Sequence, residues 1–131
     1  MRDVALVGVG GTFGTAARYL LSEVIPGWRG IPVATLAINI LGAFLLGVLL
    51  ERLARAGADA GLRHTVRLLI GTGFLGGFTT YSALAVDTTL LAGGGRPGAA
   101  LAYAALTIVV GAIATALGIL AAGWRRRGGL R

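Results

Sequence analysis

The chain of 131 residues has no cysteine, no lysine and a single histidine. The absence of cysteine excludes a disulfide scaffold, a thiolate metal site and a cysteine nucleophile. One histidine cannot form a zinc centre by itself. The sequence also lacks a Walker lysine motif, a Ser/His/Asp set and an H-E-x-x-H motif. These absences leave no basis for predicting an enzyme.

Apolar residues, in contrast, make up 56% of the sequence, compared with about 45–50% in an average soluble domain. Because a helix needs about 20 apolar residues to cross a bilayer, a chain of this length has room for about four or five spans. Prolines, glycines and arginines divide it into four apolar segments, at residues of about 4–22, 32–50, 68–91 and 99–123. The sequence therefore predicts an all-α integral membrane protein, with residues 1–131 forming a single four-span domain.

The net charge of +7 comes from arginines that lie between the apolar segments, so we predict membrane flanks and no nucleic-acid partner. In a four-span protein the two termini and the second connection share one side of the membrane. That side holds Arg2, Arg52, Arg55, Arg63, Arg67, Arg125, Arg126, Arg127 and Arg131. The opposite side holds only Arg29 and Arg96, and Arg18 lies inside or near the end of the first span. The positive-inside rule predicts a multi-pass protein of the cell membrane with both termini cytoplasmic.

The third segment contains Gly71-Thr-Gly-Phe-Leu-Gly76, which matches the G-x-G-x-x-G pattern of dinucleotide-binding proteins. That motif functions between a strand and a helix, with an acidic residue about 20 positions further on. Here the surroundings are apolar and of membrane length, and Asp87 follows Gly76 by only 11 positions. We therefore exclude a dinucleotide site.

The same segment carries paired glycines and paired threonines near its middle, which predict that the third helix is broken. Irregular backbone inside a bilayer must be buried in protein or line a wet cavity or an ion site. The carbonyls around Gly76 and Thr79 are therefore candidate cation ligands. The alternative is that Gly73, Gly76 and Gly77 only allow neighbouring helices to approach closely. This segment alone gives the two interpretations about equal weight.

The other spans carry few polar groups. Asn39 in the second span indicates either a hydrogen bond between helices or a polar path. A stripe of small and polar residues in the fourth span indicates either a packing seam or a pore wall. The stripe consists of Tyr103, Thr107, Gly111, Thr115 and Gly118. Arg18 is either a functional intramembrane charge or a side chain that extends to the membrane surface. The only carboxylate within a span, Asp87, comes late in the third. Hydrogen-bond donors and the positive edges of aromatic rings can replace the water shell of a small anion, so the set favours an anion as the transported ion.

Three segments together resemble the Fluc fluoride channels, the CrcB family of microbial membrane proteins. They are Gly10-Gly11-Thr-Phe-Gly14-Thr-Ala-Ala-Arg18-Tyr19, Ala34-Thr35-Leu-Ala-Ile-Asn39-Ile-Leu-Gly42-Ala-Phe44 and Gly71-Thr-Gly-Phe-Leu-Gly76-Gly77-Phe-Thr79-Thr80-Tyr-Ser82. The resemblance implies an antiparallel, dual-topology dimer of four-helix subunits with two narrow fluoride pores. It also implies a central Na⁺ ion that is structural and not transported. Passive export through such pores would lower cytoplasmic fluoride and its toxicity.

The resemblance also implies roles for individual residues. The backbone carbonyls of Gly76 and Thr79 would bind Na⁺ at the break of the third helix. The residues assigned to the fluoride pathway are Asn39, Tyr81, Ser82, Thr107 and Arg18, the last of these near a pore entrance. In this scheme phenylalanines stand at the positions of Tyr81 and Leu84, a glutamate at that of Asp87, and often a hydroxyl residue at that of Gly111. Of these departures, Tyr81 keeps a ring but adds a hydroxyl and Leu84 has no ring, so these two concern the ring edges that would face the ion.

The arginine distribution bears on the dimer. A chain that inserts in both orientations should carry balanced positive charge, whereas nine arginines lie on one side and two on the other. The resemblance allows a homodimer, but the charge bias favours a heterodimer with an oppositely oriented homologue.

Two alternatives to a channel remain. A small four-span multidrug/proton antiporter requires a membrane-embedded carboxylate in its first span, where this chain has Arg18 and places Asp3 and Glu23 at the ends. A non-transporting membrane assembly protein would use the glycines and threonines only for packing, and ion flux distinguishes it from a channel.

Overall fold

The computed structural model describes residues 1–124, and Arg125, Arg126, Arg127 and Arg131 lie outside the described residues. The described part of the chain is helical. Its elements are α1 (Arg2–Val24), α2 (Val33–Ala56), α3 (Leu62–Val66), a π-helix (Arg67–Leu75), α4 (Gly76–Phe78), α5 (Tyr81–Gly93) and α6 (Pro97–Trp124). The elements from Leu62 to Gly93 form one long segment, called here the third segment. This segment and the helices α1, α2 and α6 are each long and apolar enough to cross a membrane.

The helices extend beyond the apolar spans that the sequence predicts. The helix α2 begins at Val33, directly after Pro32, and continues past the apolar run to Ala56. An ion pair between Glu51 and Arg55, one turn apart, supports this polar extension. Similarly, α6 begins at Pro97, where the missing N–H of proline removes no helical hydrogen bond.

Two glycine-mediated contacts hold the helices together. The helix α1 packs against the third segment, where a Cβ atom at Gly10 would overlap the Leu69 carbonyl and one at Gly77 would overlap the backbone of Gly11. The helix α2 packs against α6, where a Cβ atom at Gly118 would overlap the Phe44 carbonyl. Small residues allow such backbone-to-backbone approach in membrane proteins. The packing interpretation therefore holds for Gly73 and Gly77, whereas an added Cβ at Gly76 would meet no heavy atom within 4 Å.

Polar contacts show which connections share an end of the molecule. At one end Arg2 Nη2 donates to Thr65 Oγ1 over 3.0 Å, and the His64 ring lies 3.3 Å from Asp3 Oδ2 and 3.2 Å from Asp59 Oδ2. The side-chain hydrogen bonds from Arg67 and then His64 hold the pKa of Asp59 below its ordinary value. These contacts join the start of α1 to α3, and through His64 to the connection between α2 and α3.

At the opposite end, the first and third connections meet. The Arg96 Nη1 atom donates to the Arg29 carbonyl over 2.9 Å. Arg29 adopts a left-handed backbone conformation with φ of 51°, and its guanidinium lies 5.0 Å from the centroid of the Trp28 ring. The two sparsely charged connections therefore lie together, away from the arginine-rich end.

Two buried clusters pack the third segment against α2 and α6. One lies between α5 and α6 and contains Leu84, Leu91, Ala100 and Tyr103. The other places Ala34 and Ile38 of α2 against Phe78, the last residue of α4. Since Ile38 is only 2% exposed, α2 is held firmly beside the end of α4.

Candidate functional site

The candidate site is centred on Thr79 and Thr80, which separate α4 from α5. Both residues are extended, with φ and ψ of −77° and 158° at Thr79 and −150° and 122° at Thr80. Thr80 also caps α5, because its Oγ1 accepts a hydrogen bond from Ala83 N over 3.1 Å. The third segment is therefore interrupted where the paired threonines follow the paired glycines.

Asn39 of α2 binds the backbone at this interruption through both ends of its amide. Its Oδ1 accepts from Thr80 N over 2.8 Å, and its Nδ2 donates to the Thr80 carbonyl over 2.9 Å. The side chain thus satisfies both backbone groups of an extended residue at membrane depth, which would otherwise be exposed at high free-energy cost. The interhelical hydrogen bond considered for Asn39 from the sequence is present, and it is made to the break.

These two caps redirect N–H groups that a continuous helix would use. In an α-helix the N–H of Thr80 would bond the Gly76 carbonyl, and that of Ala83 would bond the Thr79 carbonyl. Here the first N–H donates to Asn39 Oδ1 and the second to Thr80 Oγ1. The carbonyls of Gly76 and Thr79 are therefore released from these helical partners, and both residues line the same groove.

Arg18 and Thr15 of α1 both donate hydrogen bonds to the carbonyl of Gly77. Gly77 lies between Gly76 and Thr79 in the sequence. Arg18 Nε donates to this oxygen over 3.2 Å and Thr15 Oγ1 over 3.4 Å. A guanidinium at this position also interacts favourably with the C-terminal end of the helix formed by the π-helix and α4. The Arg18 side chain is half-buried and turns towards the break.

An open groove of about 580 Å³ runs past the break between α2, the third segment and α6. Among the residues that line it are Asn39, Gly76, Thr79, Tyr81 and Thr107. The structure therefore brings these five predicted site residues to one surface. Arg18 and Ser82, the other two, are not among the residues that line the groove.

The residues predicted to lie along the fluoride pathway differ in how exposed their side chains are. The Tyr81 side chain is 80% exposed, whereas Thr107 is 5% exposed and its Oγ1 donates to the Tyr103 carbonyl of its own helix over 2.8 Å. Ser82 Oγ lies 3.1 Å from Thr80 Oγ1. Leu84 is 7% exposed and packs in the cluster with Tyr103, although it also lines the groove.

Two polar partnerships were not predicted from the sequence. The Tyr103 hydroxyl lies 3.2 Å from Asp87 Oδ2 and 3.3 Å from the Pro32 carbonyl, so it links α6 to α5 and to the start of α2. Asp87 also lines a second open cavity of about 470 Å³, together with Arg96. The shared acceptor of Thr15 and Arg18, the Gly77 carbonyl, was also missed, although a spacing of three residues places both donors on one face of α1.

These observations define a small multi-pass helical membrane protein built around an interrupted helix. The profile of the family described as "CrcB-like protein, Camphor Resistance (CrcB)" matches residues 5–119, which include most of all four membrane-spanning segments. The chain belongs to the CrcB family.

Curated relatives include the fluoride-specific ion channel FluC 2 of Leifsonia xyli subsp. xyli, which is 55% identical over 118 residues, or 90% of this chain and 81% of the relative. The fluoride-specific ion channel FluC 1 of Cutibacterium acnes is 47% identical over 84% of this chain and 78% of its own length. A fluoride-specific ion channel FluC of Methanocaldococcus jannaschii is 42% identical over 70% of each chain.

Proposed function

We propose that this protein is a fluoride-specific ion channel, and not an enzyme, through which fluoride leaves the cytoplasm passively and its toxicity is lowered. The observation that carries the proposal is the match to the CrcB family over residues 5–119, among relatives named as fluoride-specific ion channels. The groove beside the interrupted helix is a suitable surface for such a path, because Asn39 and several threonines lie among the residues that line it.

In the proposed path, hydrogen-bond donors replace the water shell of fluoride. Asn39 is suited to this role because its Nδ2 carries two N–H groups and the Thr80 carbonyl takes one of them. We place Tyr81, Ser82 and Thr107 along the same path and Arg18 near a pore entrance. The Tyr81 hydroxyl adds a donor where the family resemblance implies a phenylalanine ring edge.

We further propose that Na⁺ is bound as a structural ion by the Gly76 and Thr79 carbonyls. The residues fit this ion, because unwound backbone carbonyls coordinate Na⁺ in other membrane proteins and the two N–H groups that would occupy these oxygens donate elsewhere. One chain offers two such oxygens, so a second chain at the groove would complete the set. When bound, the ion would neutralise the carbonyl dipoles at the break.

The main alternative, a multidrug/proton antiporter, requires a carboxylate within the membrane part of the first span. In α1 the two carboxylates, Asp3 and Glu23, lie in the first and last turns, and both are exposed. The polar groups that face the groove are amides, hydroxyls and carbonyls. This donor set favours a channel for a small anion over proton-coupled exchange.

We also propose that the protein spans the cell membrane with both termini cytoplasmic and pairs with an oppositely oriented homologue. Among the described residues, the end that joins Arg2 to the second connection carries five arginines, and the opposite end carries Arg29 and Arg96. Such a bias favours one orientation. A chain with one orientation cannot form an antiparallel homodimer by itself.

The test is fluoride efflux from liposomes that contain NaCl on both sides, measured with a fluoride electrode. Three samples are compared: the purified chain alone, the chain coexpressed with an adjacent homologue of opposite charge bias, and protein-free liposomes. Chloride efflux from the same liposomes is the selectivity control. We expect fluoride efflux with the homologue present and no more chloride efflux than in protein-free liposomes.

The three possible outcomes are distinct. Efflux only with the homologue supports both the channel and the heterodimer. Efflux from the chain alone supports the channel and overturns the requirement for a heterodimer. Absence of efflux from every sample overturns the channel and leaves the membrane assembly protein as the interpretation.

A further inference from the structure

We infer that Asn39 is a positioning residue for the cation-binding turn at Gly76–Thr79, and that this role is separable from its place on the fluoride path. The inference rests on the proposed function, because the cation is the Na⁺ ion of that proposal. In this role Asn39 holds the backbone of the turn in place through its hydrogen bonds to Thr80, which contact with fluoride would not require.

The first step of the argument is the pair of hydrogen bonds to Thr80. Asn39 Oδ1 accepts from Thr80 N over 2.8 Å, and this N–H is the one that the Gly76 carbonyl would receive in a continuous helix. If Asn39 did not accept this hydrogen bond, the Thr80 N–H could adopt one of two arrangements. It stays unpaired at membrane depth, which is costly, or it returns to the Gly76 carbonyl and removes that oxygen from the cation.

The second step concerns the other backbone groups near the break, which have partners of their own. Arg18 and Thr15 donate to the Gly77 carbonyl, and Thr80 Oγ1 accepts from Ala83 N. In the described part of the chain, the hydrogen bonds to the backbone of Thr80 come from Asn39. Asn39 is therefore the side chain that keeps the Thr80 N–H away from the Gly76 carbonyl.

The third step is the rigidity of α2 at this level. Ile38, the neighbour of Asn39, is 2% exposed and packs in one cluster with Phe78 at the end of α4. One turn after Ile38, Gly42 lies so close to Thr79 that an added Cβ would overlap its Cγ2 atom. The amide of Asn39 is therefore held at a constant distance from the turn, as a positioning role requires.

The experiment uses the full-length protein, in its conducting assembly, with three variants. Asn39→Leu has nearly the same shape and lacks both hydrogen-bonding groups, whereas Asn39→Asp keeps an acceptor for Thr80 N. Leu91→Ala is the matched stability control, because Leu91 is buried in the cluster between α5 and α6, away from the break. Thermal unfolding is measured in detergent over a series of NaCl concentrations, with choline chloride maintaining the ionic strength.

For the unsubstituted protein we expect Tm to rise with sodium and to saturate, since an ion that binds only the folded state stabilises it. Asn39→Leu should raise the half-saturating sodium concentration by about tenfold or more, the change that ~1.4 kcal/mol produces. Asn39→Asp should keep the sodium response. Leu91→Ala should lower Tm in both salts equally and keep the half-saturating concentration.

Fluoride efflux over the same sodium series supplies a second readout. A positioning role shifts the half-activating sodium concentration of Asn39→Leu, whereas a role confined to the fluoride path lowers the maximal rate and leaves that concentration unchanged. The second pattern, or an unchanged sodium-dependent rise of Tm in Asn39→Leu, overturns the inference.

The other variants keep the test decisive if Asn39→Leu does not fold. If Asn39→Leu does not fold, a folded Asn39→Asp protein that has lost its sodium response overturns the inference, and one that keeps it supports the acceptor role. An unsubstituted protein whose Tm and fluoride efflux both ignore sodium overturns the sodium site itself. That failure is seen before any variant is made, so it is distinguishable from failure of the Asn39 role.

Discussion

At the residue scale, the site depends on how closely single side chains approach the interrupted backbone. Gly42 of α2 is buried against Thr79, and its lack of a Cβ lets the helix approach the turn that presents the candidate cation ligands. Phe78 Cδ1 also lies within contact distance of the position that a Cβ at Gly42 would take. The identity of this residue therefore affects both packing and the shape of the site.

Gly42→Ala should destabilise the protein by about 1–3 kcal/mol, because the added methyl overlaps Thr79 Cγ2. To relieve the overlap, α2 or the break must move, or the Thr79 side chain must rotate away from its hydrogen bond to the Leu75 carbonyl. Thermal unfolding in detergent measures the effect. Gly8→Ala is the matched control, since Gly8 is an exposed residue of α1 with no heavy atom within 4 Å of an added Cβ. Equal Tm values for the two variants would contradict the close contact between α2 and the break.

At the element scale, the third segment is several short helical pieces held by neighbouring helices. The helix α4 has only three residues, and the π-helix before it is a rare form. Side chains from α1 and α2 therefore make hydrogen bonds to backbone groups that would bond within the helix if it were unbroken. Arg18 does so for the Gly77 carbonyl at the end of α4.

Arg18→Met should lower the free energy of unfolding by about 1–3 kcal/mol, because it removes a charge-assisted hydrogen bond and leaves the Gly77 carbonyl with Thr15 as its remaining side-chain donor. Arg18→Lys should recover part of the loss through its positive charge. Arg52→Met is the matched control, since Arg52 is exposed on α2. If Arg18→Met and Arg52→Met change Tm equally, Arg18 acts as a membrane-surface charge and not as a cap.

At the scale of the whole molecule, the hydrogen bonds at the two ends divide the chain into an arginine-rich and an arginine-poor end. The first contains the start of α1 and the second connection, and the other contains the first and third connections. A single strong bias of this kind should give one orientation in the membrane. The absence of cysteine allows this orientation to be tested directly.

Single cysteines introduced by Ala58→Cys and Gly98→Cys place one thiol at each end. Both positions are exposed, and Gly98 has no heavy atom within 4 Å of an added Cβ. A membrane-impermeant thiol reagent applied to intact cells should label Gly98→Cys and leave Ala58→Cys unlabelled until the cells are lysed. Equal labelling of the two variants in intact cells would instead indicate dual topology and a homodimer.

Much of this architecture follows from the sequence alone, because hydrophobicity and backbone preference act locally. Runs of apolar residues determine the four membrane segments, and arginines at their ends determine the charge bias. Gly76, Gly77, Thr79 and Thr80 place the interruption, since neither glycine nor threonine favours a helix interior. The resemblance to the CrcB family also rests on sequence, and the family profile confirms it.

Only the tertiary structure decided which groups hold the interruption open. Asn39 and Thr80 are 41 positions apart, and Arg18 and Gly77 are 59 positions apart, so no local pattern identifies them as partners. The π-helix likewise depends on packing against α1, where the carbonyls of Leu69 and Phe74 meet glycines. A hydrogen bond requires two atoms within about 3 Å, and for residues distant in sequence that proximity is set by how the helices pack.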